Sequence, residues 1–343
     1  MTALLLFFGI MEYHIDFSET REPVTAQPGD TVLEALLRAG VPFPHSCQVG
    51  NCGTCKCELI EGEIFELPYS EHALSEDEKA KKHVLACRAQ VWGDVKVRAI
   101  DIEGISLGPI RSLRGRVISL TQLTHDIREV RLSLEAEGGA LAFAAGQYAQ
   151  VEFAPGISRH YSMANTPDEI DPVFHVRHVP GGRASAFVAE KLKVGHGVRV
   201  TGPYGSSYLR QHHAGPVLLV AGGSGLAPIE SILRTLIPRA NGAAILLYFG
   251  VRSEKDVYHE TILRALAASY DKLRLNIALS EQPGRGRRNG LLHEVIAADR
   301  IDFCGYMAYL AGPPAMVDAV SGIVVQMGLE HRNLHADAFY NQP

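Results

Sequence analysis

The 343-residue chain lacks a basic excess, having 33 Lys and Arg against 38 Asp and Glu for a formal net charge of −5. A nucleic-acid-binding protein would show clustered positive charge, so that class is excluded. Long apolar runs are missing too. The most apolar stretch, residues 1–10, is about half of the roughly 20 residues a membrane-spanning helix needs. It has neither a basic leading segment nor a small-residue cleavage site, so it does not read as a signal peptide. We expect an extra N-terminal tail over 1–10, with Met11 as the true initiator, and no contact with membrane. Internal repeats and low-complexity tracts are absent. Cysteine is scarce at six, but four of the six (Cys47, Cys52, Cys55 and Cys57) fall within eleven residues. That clustering excludes a disulfide framework in a chain this long and points to a metal site in a reducing cytoplasm.

What is present is an ordinary globular composition, 46% apolar and 21% charged, long enough for two or three domains. The motifs divide the chain into a tail at 1–10, a first domain at 11–103, a linker at 104–110, a second domain at 111–212 and a third at 213–343. In the first, an amphipathic helix follows Pro28-Gly29-Asp30, presents Val32, Leu33, Ala35, Leu36 and Leu37, and ends at Gly40. A second helix starts at Ser75, where Ser75-Glu76-Asp77-Glu78 forms a capping box. The middle segment alternates as half-buried strands do at 113–120, 127–134, 148–153, 174–179 and 198–201, with one helix at about 184–193, which suggests a small β-barrel. From Pro216 onward, continuous apolar runs at 217–221, 244–249, 273–279 and 307–311 alternate with helical stretches, the signature of a parallel doubly wound sheet.

Cys47, Cys52 and Cys55, followed by Cys87, have the spacing C-x4-C-x2-C plus a distant fourth cysteine, the plant-type [2Fe–2S] pattern. Three thiolates must converge on one small cluster, and Gly50 and Gly53 let the loop curl close to sulfur. A zinc site usually pairs two short ligand units, and the second is missing. Cys57 and Cys304 read as small buried core residues. Further on, Arg159-His160-Tyr161-Ser162 follows Gly146-Gln147-Tyr148. It is followed in turn by Gly181-Gly182-Arg183-Ala184-Ser185, where glycines before a helix N-terminus make an anion site. The buried strand at 217–221 runs straight into Gly222-Gly223-Ser224-Gly225-Leu226-Ala227-Pro228. This is a glycine loop that can approach a pyrophosphate, although proline stands where the standard dinucleotide fingerprint has its third glycine.

Together these motifs resemble the ferredoxin–NADP reductase superfamily. The domain order resembles the reductase components of bacterial aromatic-ring-hydroxylating dioxygenases, especially the naphthalene type. Stretches such as Thr124-His125-Asp126-Ile127-Arg128 and Ala336-Asp337-Ala338-Phe339-Tyr340 carry that likeness. The resemblance implies a β-grasp ferredoxin-like domain, a Greek-key barrel that binds FAD and an α/β nicotinamide domain. It makes Cys47, Cys52, Cys55 and Cys87 the cluster ligands. Arg159 is placed on the flavin pyrophosphate, with His160 beside it, Tyr161 on the flavin or its ribityl chain and Ser162 near flavin N5. Arg177 and the turn Gly182, Arg183, Ala184 and Ser185 complete the phosphate contacts. Gly222, Gly223, Gly225, Leu226, Ala227, Pro228, Arg252, Gly312 and Pro313 belong to the nicotinamide site.

Phe339 covers the flavin ring, and Asp337 stands near the hydride path. Ala311 occupies the position of the family's cysteine, which implies differently tuned hydride transfer. Arg252 could hold a 2′-phosphate, but Glu254 and Asp256 would repel one, so NADH is expected over NADPH. The implied activity is that of a monomeric NADH:ferredoxin oxidoreductase passing electrons to a Rieske-type ferredoxin or terminal oxygenase. The alternatives are the reductase of a diiron phenol- or alkene-type monooxygenase, a deoxysugar-biosynthesis reductase, and a redox sensor that has lost turnover.

Overall fold

A computed structural model of the chain describes residues 12–41, 43, 45, 48–50, 53, 55–69, 73–74, 76–100, 110–135, 141–281 and 286–339. The expected tail, the Met11 start, the Ser75 cap, nearly all of the linker, Cys47 and Cys52 lie outside the described residues. The chain divides into two units, Met1–Ile105 and Ser106–Pro343.

In the first unit, β1 (Tyr13–Phe17) and β2 (Val24–Ala26) form a hairpin that leads into helix α1 (Val32–Arg38). Thr31 starts this helix with a reciprocal cap. Its hydroxyl accepts from the Glu34 N–H at 3.2 Å, and the Glu34 carboxylate accepts from the Thr31 N–H at 2.8 Å. Val32, Leu33, Ala35 and Leu36 turn inward. The Val41 N–H closes the far end on the Leu36 carbonyl, with Gly40 in the left-handed conformation that the sequence anticipated. The remaining elements are β3 (Lys56–Glu61), β4 (Ile64–Glu66), α2 (Glu76–Ala80), β5 (His83–Leu85), β6 (Ala89–Val91) and β7 (Val95–Ala99). The main sheet has the order β2-β1-β7-β3-β5. Its one parallel pair is β1 with β7, and β4 pairs separately with β6. The helix α1 covers a core built on Ile15, Phe17, Val91 and Val97.

The second unit begins with six antiparallel strands: β8 (Arg111–Gln122), β9 (Ile127–Leu134), β10 (Tyr148–Ala154), β11 (Ile157–Ser162), β12 (Val173–Arg177) and β13 (Gly197–Tyr204). Their order is β11-β10-β13-β8-β9-β12. A bridge between Met163 and Phe174 joins the two edges and closes the barrel. Val130, Ala149, Val151, Phe174 and Val200 fill it. Helix α3 (Arg183–Glu190) lies between β12 and β13. It stops three residues before the expected end, where Leu192 folds back to donate to the Phe187 carbonyl.

The rest of the unit alternates strands and helices, except that β17 follows β16 directly: β14 (Val217–Gly222), α4 (Leu226–Leu236), β15 (Ile245–Val251), α5 (Glu260–Ser269), β16 (Leu273–Leu279), β17 (Arg288–Asn289), α6 (Leu292–Ala298), β18 (Met307–Gly312), α7 (Pro314–Gln326) and β19 (Leu334–Ala338). All six strands are parallel, in the order β17-β16-β15-β14-β18-β19. Val217, Leu219 and Ala221 of β14 enter one apolar cluster, and Leu218 and Val220 enter another on the opposite face. Burial on both faces is why this strand reads as an unbroken apolar run. The strand order reverses at β14, between β15 and β18, so the crevice at the carboxyl ends of these strands is a topological switch point. Among the described residues no helix is long and apolar enough to cross a membrane.

Candidate active site

In the first unit Cys55 and Cys87 are both buried, and the Cys87 N–H points at the Cys55 sulfur over 3.5 Å. A backbone N–H aimed at sulfur is the contact expected around a thiolate-bound cluster, so these two residues fit the cysteine set read from the spacing. Cys57 is fully buried on β3 opposite Val84, as a core residue should be. Burial, reinforced by Cys87, pushes its thiol up to about 12. Cys304 departs from expectation. It is exposed, in a turn before β18 where its N–H donates to the Asp302 carboxylate at 2.9 Å. The turn-forming Gly305 beside it has φ 76°, so the chain reverses at the surface instead of burying the thiol.

In the second unit the motif Arg159-His160-Tyr161-Ser162 forms strand β11, paired in register with β10. Strand alternation splits it. Arg159 is exposed, and Tyr161 leans edge-on against Phe153 of the barrel, with burial pushing its hydroxyl pKa up. His160 faces the other way and packs edge-on against Tyr148 and Tyr204. The turn before α3 is built by Ser185, whose hydroxyl accepts from the Val179 N–H at 3.1 Å. Gly182 at the N-cap supplies no side-chain oxygen, so the first N–H groups of α3 are free of a side-chain cap.

Arg177, at the end of β12, donates through Nε to Asp126 at 2.8 Å. Burial alone would raise the Asp126 carboxyl, but hydrogen bonds from Thr124 and Arg177 outweigh it and hold the group low. Arg252, at the end of β15, lies 3.8 Å from the same carboxylate and 4.0 Å from Asp256. Arg177, Arg252, Asp126, Gly222, Gly223 and Pro313 thus line one cleft at the switch point. Sequence alone singles out both arginines and assigns no role to their partner Asp126. The available signal was the Thr124-His125-Asp126 turn, whose Thr124 hydroxyl accepts from the Ile127 N–H at 3.0 Å.

The glycine loop behaves unevenly. Gly222 and Gly223 face the cleft, whereas Leu226, Ala227 and Pro228 turn their side chains into the interior. Gly225 sits where α4 meets β18. A Cβ there would stand 2.1 Å from the Ala311 carbonyl oxygen and 2.8 Å from the Gly312 nitrogen. Only hydrogen lets the two backbones approach so closely.

The last strand brings the two lobes together. Asp337 of β19 pairs in register with Ala311, and the Phe339 N–H donates to the Gly312 carbonyl at 2.9 Å. Across the gap, the Ser162 hydroxyl at the end of β11 donates to Asp337 Oδ2 at 3.0 Å, with both residues buried. Phe339 is half-buried against the apolar cluster around Leu219.

Gly225→Ala should lower stability by about 1–3 kcal/mol through overpacking against the β18 backbone. Gly322→Ala, on the open face of α7 where nothing lies within 4 Å of the new methyl, should be neutral or stabilising by up to about 1 kcal/mol. Denaturant unfolding of the two variants against the parent checks this, and equal effects would contradict it.

Comparison with known proteins agrees with this geometry. Residues 16–91 match the 2Fe-2S iron-sulfur cluster binding domain, residues 114–208 the oxidoreductase FAD-binding domain and residues 219–322 the oxidoreductase NAD-binding domain. The reductase component of the naphthalene 1,2-dioxygenase/salicylate 5-hydroxylase systems of Ralstonia sp is 41% identical over 319 residues, covering 92% of this chain and 95% of that protein. The corresponding component of the naphthalene 1,2-dioxygenase system of Pseudomonas putida is 39% identical over 313 residues, covering 91% and 94%. Among solved structures, the Amycolatopsis cytochrome P450 reductase GcoB superposes with a TM-score of 0.77 at 35% identity, covering 95% of this chain and 98% of that one. The chain therefore belongs to the ferredoxin–NAD(P)+ reductase components, oxidoreductases that join a [2Fe–2S] domain to FAD- and NAD-binding domains.

Proposed function

We propose that the chain takes hydride from NADH and delivers single electrons to a Rieske-type ferredoxin or terminal oxygenase in the dioxygenation of aromatic compounds. The observation that carries this is the Ser162–Asp337 hydrogen bond. It sets the strand bearing the flavin motif against the last strand of the nicotinamide lobe. When bound, the cofactors supply hydride acceptance and one-electron transfer, and the protein supplies position and electrostatics. Arg159, Tyr161, Arg177 and the Gly182–Ser185 turn would hold FAD, with His160 packed behind the strand. Gly222, Gly223, Arg252, Gly312 and Pro313 would hold NADH, with Gly225 through Pro228 fixing the loop from behind. Phe339 would cover the flavin ring, and Cys47, Cys52, Cys55 and Cys87 would hold the cluster. The Ser162 proton is committed to Asp337, which leaves the Ser162 oxygen free to accept from a donor on its cofactor side. The clustering of four of the six cysteines within eleven residues, suited to a metal site and not to a disulfide framework, supports a reducing cytoplasm as the setting, and we expect a monomer.

The preference for NADH rests on charge. Arg252 already faces two carboxylates, Asp126 and Asp256, and Glu254 is held ionised by Arg287, whose Nε donates to it at 2.9 Å. A 2′-phosphate arriving here meets carboxylates before it meets an unshared cation. Under anaerobic conditions NADH should bleach the flavin and cluster absorbance. NADPH should do so with kcat/KM lower by at least about tenfold, the worth of one modest repulsion. A Rieske-type ferredoxin should then be reduced in catalytic turnover. NADPH matching NADH would refute the preference, and bleaching without onward reduction of either proposed acceptor would refute the partner.

Ser162→Ala and Asp337→Asn should each slow flavin reduction by NADH about 10²-fold by loosening the approach geometry. FAD content and the KM for NADH should stay near the parent values. A rise in KM at unchanged kcat would assign the pair to binding alone.

A further inference from the structure

Behind the glycine loop lies a cluster that the proposed reaction does not use. Glu129 on β9 and His175 on β12 are direct cross-strand partners on the barrel wall. His259, at the N-cap of α5, faces them from the nucleotide lobe with φ 54°, a left-handed conformation uncommon for a residue with a side chain. Nε2 of His175 lies 3.9 Å from Glu129 Oε2, and Nε2 of His259 lies 4.0 Å from the same oxygen. All three atoms fall within 4.8 Å of one another.

Both rings are held from behind. Glu230 Oε2 stands 2.7 Å from His259 Nδ1, so that nitrogen carries the proton and donates it. The Tyr258 hydroxyl donates to the Gly223 carbonyl at 3.3 Å, so it accepts from His175 Nδ1 at 3.2 Å. In the neutral form each Nε2 then presents a lone pair toward Glu129. Burial opposes a charge on His259, but Glu230 and Glu129 outweigh it and hold its pKa above the usual value, so zinc binding there would release a proton. The His175 side chain is 1% exposed, and its Nε2 is a buried nitrogen without a hydrogen-bond partner among the described residues. A buried polar atom left in that state is costly and calls for a ligand.

We propose that Glu129, His175 and His259 bind a zinc ion, with Glu230 and Tyr258 orienting the two imidazoles. Two imidazole nitrogens and one carboxylate oxygen are a three-ligand zinc set, and histidines backed by oxygen acceptors are its usual outer support. Magnesium and calcium prefer all-oxygen shells, which this cluster does not offer. The two glutamates carry the charge a divalent cation balances when both histidines are neutral. Zinc bonds of about 2.0–2.2 Å require the three atoms to draw together by roughly 0.5–1.5 Å, a shift that rotation of the Glu129 carboxylate and small ring tilts provide. The ion would pin α5 to the barrel wall and, through Tyr258, fix the Gly223 carbonyl in the glycine loop.

The test is calorimetric titration of the chelator-stripped, full-length holoprotein with zinc chloride while flavin and cluster absorbance are recorded. One equivalent should bind with both spectra unchanged, and the thermal unfolding midpoint of the flavin-containing unit should rise. Glu129→Gln and His259→Asn remove one ligand each at partly exposed positions. The asparagine keeps a residue that tolerates the left-handed backbone. Each variant should retain FAD, weaken zinc binding at least tenfold and lose the zinc-dependent rise. Absence of binding, equal binding by parent and variants, or binding that proceeds only with loss of cluster absorbance would overturn the proposal.

Discussion

The Ser162–Asp337 hydrogen bond spans 175 residues of sequence, and the chemistry we propose depends on the register it sets. A buried hydrogen bond to a carboxylate contributes about 1.5–3 kcal/mol, and that contribution is what loss of the Ser162 hydroxyl would remove. The bond therefore selects one docking of the barrel against the parallel sheet. In that docking the end of β11 faces the β19 strand, which pairs with β18 through Ala311 and Gly312. Gly225 secures the same corner from the other side by letting α4 start directly against the Ala311 carbonyl. A hydroxyl, a carboxylate and a missing side chain thus define where two flat cofactor rings could meet.

The charged groups of the cleft are balanced so that they can change partners. Arg177 and Arg252 are paired to carboxylates, yet their side chains keep 30% and 50% exposure. Ion pairs this exposed contribute only about 0–1 kcal/mol, so in the proposed cofactor site a pyrophosphate would replace Asp126 at little expense. Until then Asp126 keeps the guanidinium groups from collapsing elsewhere. In the proposed preference for NADH, the carboxylates that remain nearby, Asp256 above all, would be the repulsive element against an extra phosphate. Asp256 is fixed in place by accepting from the Ser253 N–H at 2.9 Å.

Much of this was legible in the residues because it followed from local rules. The apolar face of α1 and its end at Gly40, the unbroken apolar run of β14 and the glycine loop after it follow local patterns that survive without tertiary context, whereas the reciprocal Thr31–Glu34 cap is seen only in the structure. The strands β11 and β19 were not assigned as strands. Ile157–Ser162 and Leu334–Ala338 are rich in polar and functional side chains, and their pairing partners lie elsewhere in the chain. Cys304 was misread because burial statistics for cysteine outweighed the turn signal of Gly305. Asp126 went unassigned because a carboxylate's partner is a matter of three dimensions. The facing of His175 and His259 from opposite lobes was invisible for the same reason. The capping Ser75, and Cys47 and Cys52 of the cysteine loop, lie outside the described residues.

The most direct test of the account is a double-mutant cycle on Ser162→Ala and Asp337→Asn, read as the anaerobic rate of flavin reduction by NADH. If the two side chains act as one hydrogen-bonded unit, the double variant will be scarcely slower than the slower single variant, with a coupling of at least about 1 kcal/mol. Additive effects, agreeing within about 0.3–0.5 kcal/mol, would mean that the two residues act independently and that their contact does not set the meeting point of the lobes.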